Sequence, residues 1–216
     1  VTDADRVVWF DLDGTLLTYD RPFREIFEDG IHPVSDAVYE AYTDALFDAL
    51  DAGAATPYRR AFATTVERTA LDGPPERLAA DYVDAEVAAA TVTPGARSAL
   101  AAAADHGPVG VVTNGADPVQ RRKLAATDLR SSVDAVVVSG AAGVRKPDPR
   151  LFEIAERRLS GETHVYVCDD PVTDVAGATR AGWPSILVGD APAENGAAPS
   201  QTVESIAAVA DHLAAV

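Results

Sequence analysis

The stretch VVWFDLDGTLL, residues 7–17, decides how the rest of the chain is read. Val7, Val8, Trp9 and Phe10 form a short apolar run without polar alternation. Such a run is too short for a solitary helix and suits a strand buried on both faces of a parallel sheet. Asp11 follows directly, so the sheet would hold its carboxylate rigidly. The i, i+2 spacing lets Asp13 approach the same reacting atom, while Gly14 frees the backbone to turn. Such a pair can divide labour, one carboxylate attacking as nucleophile and the other serving as general acid and base. A cation must then keep both from repelling a phosphate dianion. Mg²⁺ suits that task because it prefers oxygen ligands and shares its shell with waters and phosphate.

Similar runs recur at 109–112, 135–138, 164–167 and 185–188. Helical patterns separate them from Val109 onward, at 118–126, 149–159 and 172–181, with Gly161 and Gly182 placed as C-terminal stops. Strands alternating with helices predict right-handed βαβ units and an α/β fold, a three-layer, doubly wound parallel sheet. The interval 18–93 breaks that rhythm. It shows no convincing strand, only helical material such as 35–50 and 75–90, cut by Gly53, Pro57 and Gly73-Pro74-Pro75. It reads as an inserted all-helical cap domain, with hinges near 16–20 and 92–95. The catalytic core is then 1–17 together with 94–216. Residues 190–200 read as a loop, and Val203, Ile206, Val209, Ala210 and Leu213 as a closing amphipathic helix.

Ligands of open α/β sheets bind beyond the carboxyl ends of the strands. At those ends stand Asp11, then Thr113-Asn114-Gly115, then Ser139-Gly140, then Asp169-Asp170. Lys146 follows the third strand in GVRKPDP, at the start of a predicted helix. Three acidic positions and one lysine therefore converge on one edge.

At these residues the sequence resembles the haloacid dehalogenase-like superfamily, of Rossmannoid fold. The resemblance runs in order through DLDGT (11–15), VVTNG (111–115), GVRKPDPRLF (143–152) and CDDPVTDVAGATRAG (168–182). It implies that Asp11 attacks phosphorus to give an aspartyl phosphate. Asp13 would protonate the leaving oxygen and then activate water. Thr113, with Asn114 and Gly115, would bind the phosphoryl group, and Lys146 would offset charge on its oxygens and on Asp11. Mg²⁺ would be held by Asp11, the Asp13 carbonyl and Asp169, with Asp174 orienting. Cys168 and Asp170 depart from the usual pattern, leaving the ligand assignment between Asp169 and Asp170 open with Asp169 favoured. The implied activity is a Mg²⁺-dependent phosphomonoesterase of a small phosphorylated metabolite. A phosphomutase, a 2-haloacid dehalogenase and a non-catalytic binding protein are the alternatives; the dehalogenases usually lack the second aspartate, which Asp13 supplies here.

The formal charge is -16, and the basic residues are almost all arginine, with lysine only at 123 and 146. This composition resembles proteins of salt-loving archaea, whose acidic shells stay hydrated under strong screening. So negative a surface argues against broad nucleic-acid or anionic-membrane binding. Cys168 is the sole cysteine, so no intrachain disulfide forms. No apolar run reaches membrane-spanning length, and residues 1–6 lack a signal layout. The expectation is a soluble cytoplasmic monomer or homodimer. His32, His106, His164 and His212 lack metal-ligand spacing and read as surface or structural, and Trp9 and Trp183 as packing residues. Tyr58, Arg59 and Arg60 read either as substrate contacts or, more simply, as an exposed helical stretch.

Overall fold

A computed structural model describes residues 6–32, 34–190 and 198–213 of the chain. Strand β1 (Arg6–Phe10) is followed by β2 (Leu17–Tyr19) and four helices, α1 (Phe23–Gly30), α2 (Asp36–Asp51), α3 (Pro57–Arg68) and α4 (Pro75–Ala89). Strand β3 (Ala90–Val92) closes that excursion. There follow α5 (Ala96–Ala104), β4 (Val109–Thr113), α6 (Asp117–Ala126), β5 (Ala135–Val138), the single turn α7 (Ser139–Ala142) and α8 (Pro149–Glu156). The chain continues through β6 (Thr163–Cys168), α9 (Ala176–Ala181), β7 (Ser185–Val188), β8 (Gln201–Val203) and α10 (Val209–His212).

Six strands form one parallel sheet in the order β5-β4-β1-β6-β7-β8, with β1 central. Alternation along β1 sends Val8 and Phe10 into one apolar cluster and Val7 and Trp9 into another. The first cluster is closed by Leu100, Val209 and Leu213, the second by Leu151, Phe152 and Trp183. Both faces are therefore covered, which is why the strands read as continuous apolar runs. Trp9 lies over the neighbouring strand at Gly110, where a Cβ would come within 2.2 Å of its ring. His164 and Trp183 stack beside it, and Trp9 Nε1 donates to His164 Nδ1 at 3.0 Å.

The helical cap is built from α1 to α4 around Phe27, Tyr42, Phe62 and Tyr82. Ser35 caps α2 by accepting from the Val38 amide. Val83 and Val87 of α4 meet Ala116 and Val119 at the start of α6, joining cap to core.

Four local expectations are corrected. The interval 18–93 is not strand-free, because β2 and β3 pair antiparallel at the base of the cap. Three-residue strands carry too little periodicity to be read from sequence. Val203 belongs to a sixth core strand, β8, and the helical material after it starts only at Ile206. Helix α8 ends at Glu156, before Gly161, and the helix expected at 172–181 begins as a π-helical turn at Pro171–Val175. The expected loop at 190–200 lies mostly outside the described residues.

Candidate active site

Because β4, β1 and β6 are neighbours, Thr113, Asp11 and Asp169 emerge side by side from the sheet. The Asp11 amide donates to Val167 O at 2.9 Å, pinning the residue to β6. The chain then turns tightly, with Gly14 at φ +95°, a backbone state that favours glycine. A Cβ there would also fall 2.2 Å from Asp169 Oδ2, so Gly14 is required twice over. Thr15 Oγ1 donates to Asp169 Oδ1 at 2.7 Å and fixes that carboxylate.

Lys146 precedes α8 and is set by Asn114. The Lys146 amide donates to Asn114 Oδ1 at 2.9 Å, and Asn114 Nδ2 donates to Lys146 O at 3.2 Å. Lys146 Nζ lies 2.5 Å from Asp11 Oδ1 and 2.6 Å from Asp174 Oδ1, and donates to Tyr166 Oη at 2.8 Å. Lys146, Asp11 and Asp174 are all buried. Asp174 reaches this point from the π-helical turn, held beneath the sheet edge.

Asp11, Asp169 and Asp174 each offer an oxygen within 4.8 Å of the others. One lysine cannot balance three carboxylates, and the strain shows in their ionisation. Burial raises Asp11 and Asp174 even against the nearby Lys146 charge. Burial and the Asp11 charge raise Asp169 to about 6. Converging, under-compensated carboxylate oxygens are the donor chemistry of a hard divalent cation, so the residues fit Mg²⁺. Asp170 is spent elsewhere: it caps the π-helical turn by accepting from Val172 N at 2.7 Å and Thr173 Oγ1 at 2.9 Å. Of the two neighbouring aspartates, Asp169 is the one whose oxygen lies beside those of Asp11 and Asp174. Cys168 turns into the apolar cluster with Trp9, and burial holds its thiol well above the usual range.

Asp13 stands where this site meets the cap. Its side chain is 30% exposed and accepts from Tyr19 Oη at 2.6 Å, Gln120 Nε2 at 2.7 Å and Lys123 Nζ at 3.1 Å. Burial raises its pKa, but the Lys123 charge and these hydrogen bonds outweigh that and hold it below the ordinary value. Lys123 is buried and bonded at 2.6 Å to Glu86 of the cap. Gln120 also donates to Thr113 Oγ1 at 3.0 Å. Tyr19, Glu86, Gln120 and Lys123 were not legible as site residues from sequence. One signal was present: the chain's two lysines are both buried here, on Asp11 and Asp13, where a compact point charge serves better than a guanidinium fork.

Asp11, Asp13, Thr113, Asn114, Lys146, Asp169 and Asp174 all border one cavity of 330 Å³. Gly115 does not; its amide donates to Ser139 Oγ at 3.0 Å and it lines adjacent space. Arg59 pairs with Glu76 in solvent and Arg60 is exposed, whereas Tyr58 is half-buried beside Tyr82.

A sheet-edge aspartate pair, a buried lysine and an acidic trio thus meet on a capped α/β core. Residues 6–182 match the haloacid dehalogenase-like hydrolase family, and the chain belongs to it. It is 28% identical to pyrimidine 5'-nucleotidase YjjG of Escherichia coli K12, over 92% of this chain and 93% of that protein. To the phosphoglycolate phosphatase of Rhodospirillum rubrum it is 30% identical, over 85% and 79% respectively. The crystal structure of L-2-haloacid dehalogenase from Xanthobacter autotrophicus with chloropropionic acid covalently bound shares the fold, with a TM-score of 0.75, 21% identity and 98% of both chains covered.

Proposed function

We propose that the protein is a Mg²⁺-dependent phosphomonoesterase of a small phosphorylated metabolite, working through an aspartyl phosphate. The reading divides the chain into a core, 1–17 and 94–216, and a cap, 18–93, that shields the site from bulk water. The observation that carries it is the single cavity bordered by Asp11, Asp13, Thr113, Lys146, Asp169 and Asp174. A buried carboxylate pinned to the central strand is a positioned nucleophile. One Asp11 oxygen forms a bond to phosphorus as the bond to the leaving alcohol oxygen breaks, and Asp13 delivers the proton that oxygen needs. The incoming phosphate dianion raises Asp13 toward the protonated form, opposing the Lys123 charge. Water then attacks the phosphorus, Asp13 takes its proton, and Asp11 is released with phosphate.

Lys146 balances the charge on Asp11 before the reaction and on the phosphoryl oxygens during it. Asn114 keeps that lysine in place through its backbone. Asp11, the Asp13 carbonyl and Asp169 would hold the Mg²⁺, with Asp174 orienting beside them, and the ion's charge would offset that of the phosphate oxygens. Asp13, with its Tyr19, Gln120 and Lys123 donors, favours this reading over dehalogenation, which needs no second aspartate. A single cysteine suits a reducing cytoplasm, and the acidic surface disfavours nucleic-acid partners. Among the described residues no helix is long and apolar enough to cross a membrane. The test is hydrolysis of p-nitrophenyl phosphate with and without Mg²⁺, against an Asp11→Asn control. Wild-type activity no greater than the control would defeat the assignment.

A further inference from the structure

A second cavity, of 360 Å³, adjoins the acidic one and shares Asp13, Phe47 and Asn114 with it. Its character is different. Five of the chain's six tyrosines and two of its six phenylalanines line it. Tyr39 and Tyr42 from α2, Tyr58 from α3 and Tyr82 from α4 form walls, and Tyr19 stands beside Asp13. Phe23 and Phe47 are 47% and 57% exposed, and neither belongs to the buried cluster that holds the cap together. The cap's fold therefore does not account for two large aromatic side chains left in water at this mouth.

Charge narrows the occupant. Lys123 is the one cation among the described residues that line the cavity, and Asp13 and Glu86 already hold it. A carboxylate on a compact leaving group, as in a phosphorylated hydroxy or amino acid, would find no free cation there. A hexose can lay one C–H face on such a ring but carries a hydroxyl on nearly every carbon. A flat aromatic ring needs no cation, presents two apolar faces and stacks on the surrounding tyrosines and phenylalanines. The volume lies within the roughly 300–1,000 Å³ span of small-molecule pockets.

We propose that this cavity receives the leaving group of the substrate, that the leaving group carries a planar aromatic ring, and that the substrate class is nucleoside monophosphates, with Phe47 as the specificity-determining contact. The inference rests on the phosphomonoesterase reading. Steady-state kinetics with Mg²⁺ on acetyl phosphate, UMP, dTMP, AMP, phosphoglycolate and phosphoserine tests both separately. The best nucleotide should exceed phosphoglycolate and phosphoserine in kcat/KM by roughly tenfold or more, and Phe47→Ala should erase about tenfold of that ratio. Phe47→Trp should keep it. Phe47 is mostly exposed, so the alanine variant removes little packing, and its melting curve verifies that it folds. Acetyl phosphate carries no ring, so its Asp11-dependent hydrolysis reports the catalytic reading alone. If it is hydrolysed while phosphoglycolate or phosphoserine is preferred, or while Phe47→Ala leaves the ratio within about twofold, the inference falls and the reading stands. No turnover of any of the six compounds overturns both.

Discussion

Lys146 shows how much one buried charge can hold. It touches two carboxylates, and its removal would leave Asp11 and Asp174 facing each other without compensation. Lys146→Met should lower kcat at least about a hundredfold, as loss of a preorganised charge stabiliser does. Lys146→Arg should not restore it, because a planar fork cannot replace a point charge in so tight a space. His164 offers a quieter test of the same electrostatics. It accepts from Trp9 Nε1 through Nδ1, so the bonded ring is neutral, and burial lowers its pKa from the ordinary 6.5. The folded state therefore binds its proton less well than the unfolded chain. Stability from this residue is complete above pH 6.5 and is lost as pH falls through the lower folded value. Urea unfolding between pH 7.5 and 5 should show a steeper loss in wild type than in His164→Gln; parallel curves would contradict this.

Between elements, the decisive contact is the ion pair from α6 to α4. Lys123 joins the Asp13 loop, the β2 tyrosine Tyr19 and the cap residue Glu86 in one network. Arg122 to Asp84 adds a second, solvent-exposed link between the same helices, which contributes at most about 1 kcal/mol. Lys123 and Glu86 are buried, so Lys123→Met should cost about 3 kcal/mol by stranding the glutamate. Lys123→Met/Glu86→Leu should recover most of that in chemical denaturation, while activity stays low because Asp13 has lost its cation. Recovery of activity together with stability would show that Lys123 serves packing alone. The sequence marked 75–90 and 118–126 as helical through good helix formers set off by turn residues. It carried no sign that two residues 37 apart in number form a buried pair, since no local period relates them.

For the molecule as a whole, a charge of -16 sets the response to ions. Thermal unfolding followed by circular dichroism should move to higher temperature as NaCl rises from about 0.1 to 1 M, where the screening length shrinks from roughly 10 to 3 Å. A melting temperature indifferent to salt would remove the halophilic reading. Mg²⁺ should stabilise the native state beyond what equal ionic strength of NaCl achieves, by about 2.7 kcal/mol at a hundredfold excess over its Kd. Asp169→Asn should abolish that increment, since it withdraws one of three converging carboxylates. Five of the six core strands and their burial were legible in the sequence itself, because parallel strands covered on both faces must be short apolar runs, and Asp11, TNG and Asp169 sit at their carboxyl ends. Tertiary structure alone decided the rest. It brought Asp169 beside Asp11 and Asp174 while Asp170 caps the next turn, placed Lys123 on Asp13, and gathered five scattered tyrosines around one cavity. Those outcomes depend on contacts between segments far apart in the chain, and local propensity carries no record of distance in space.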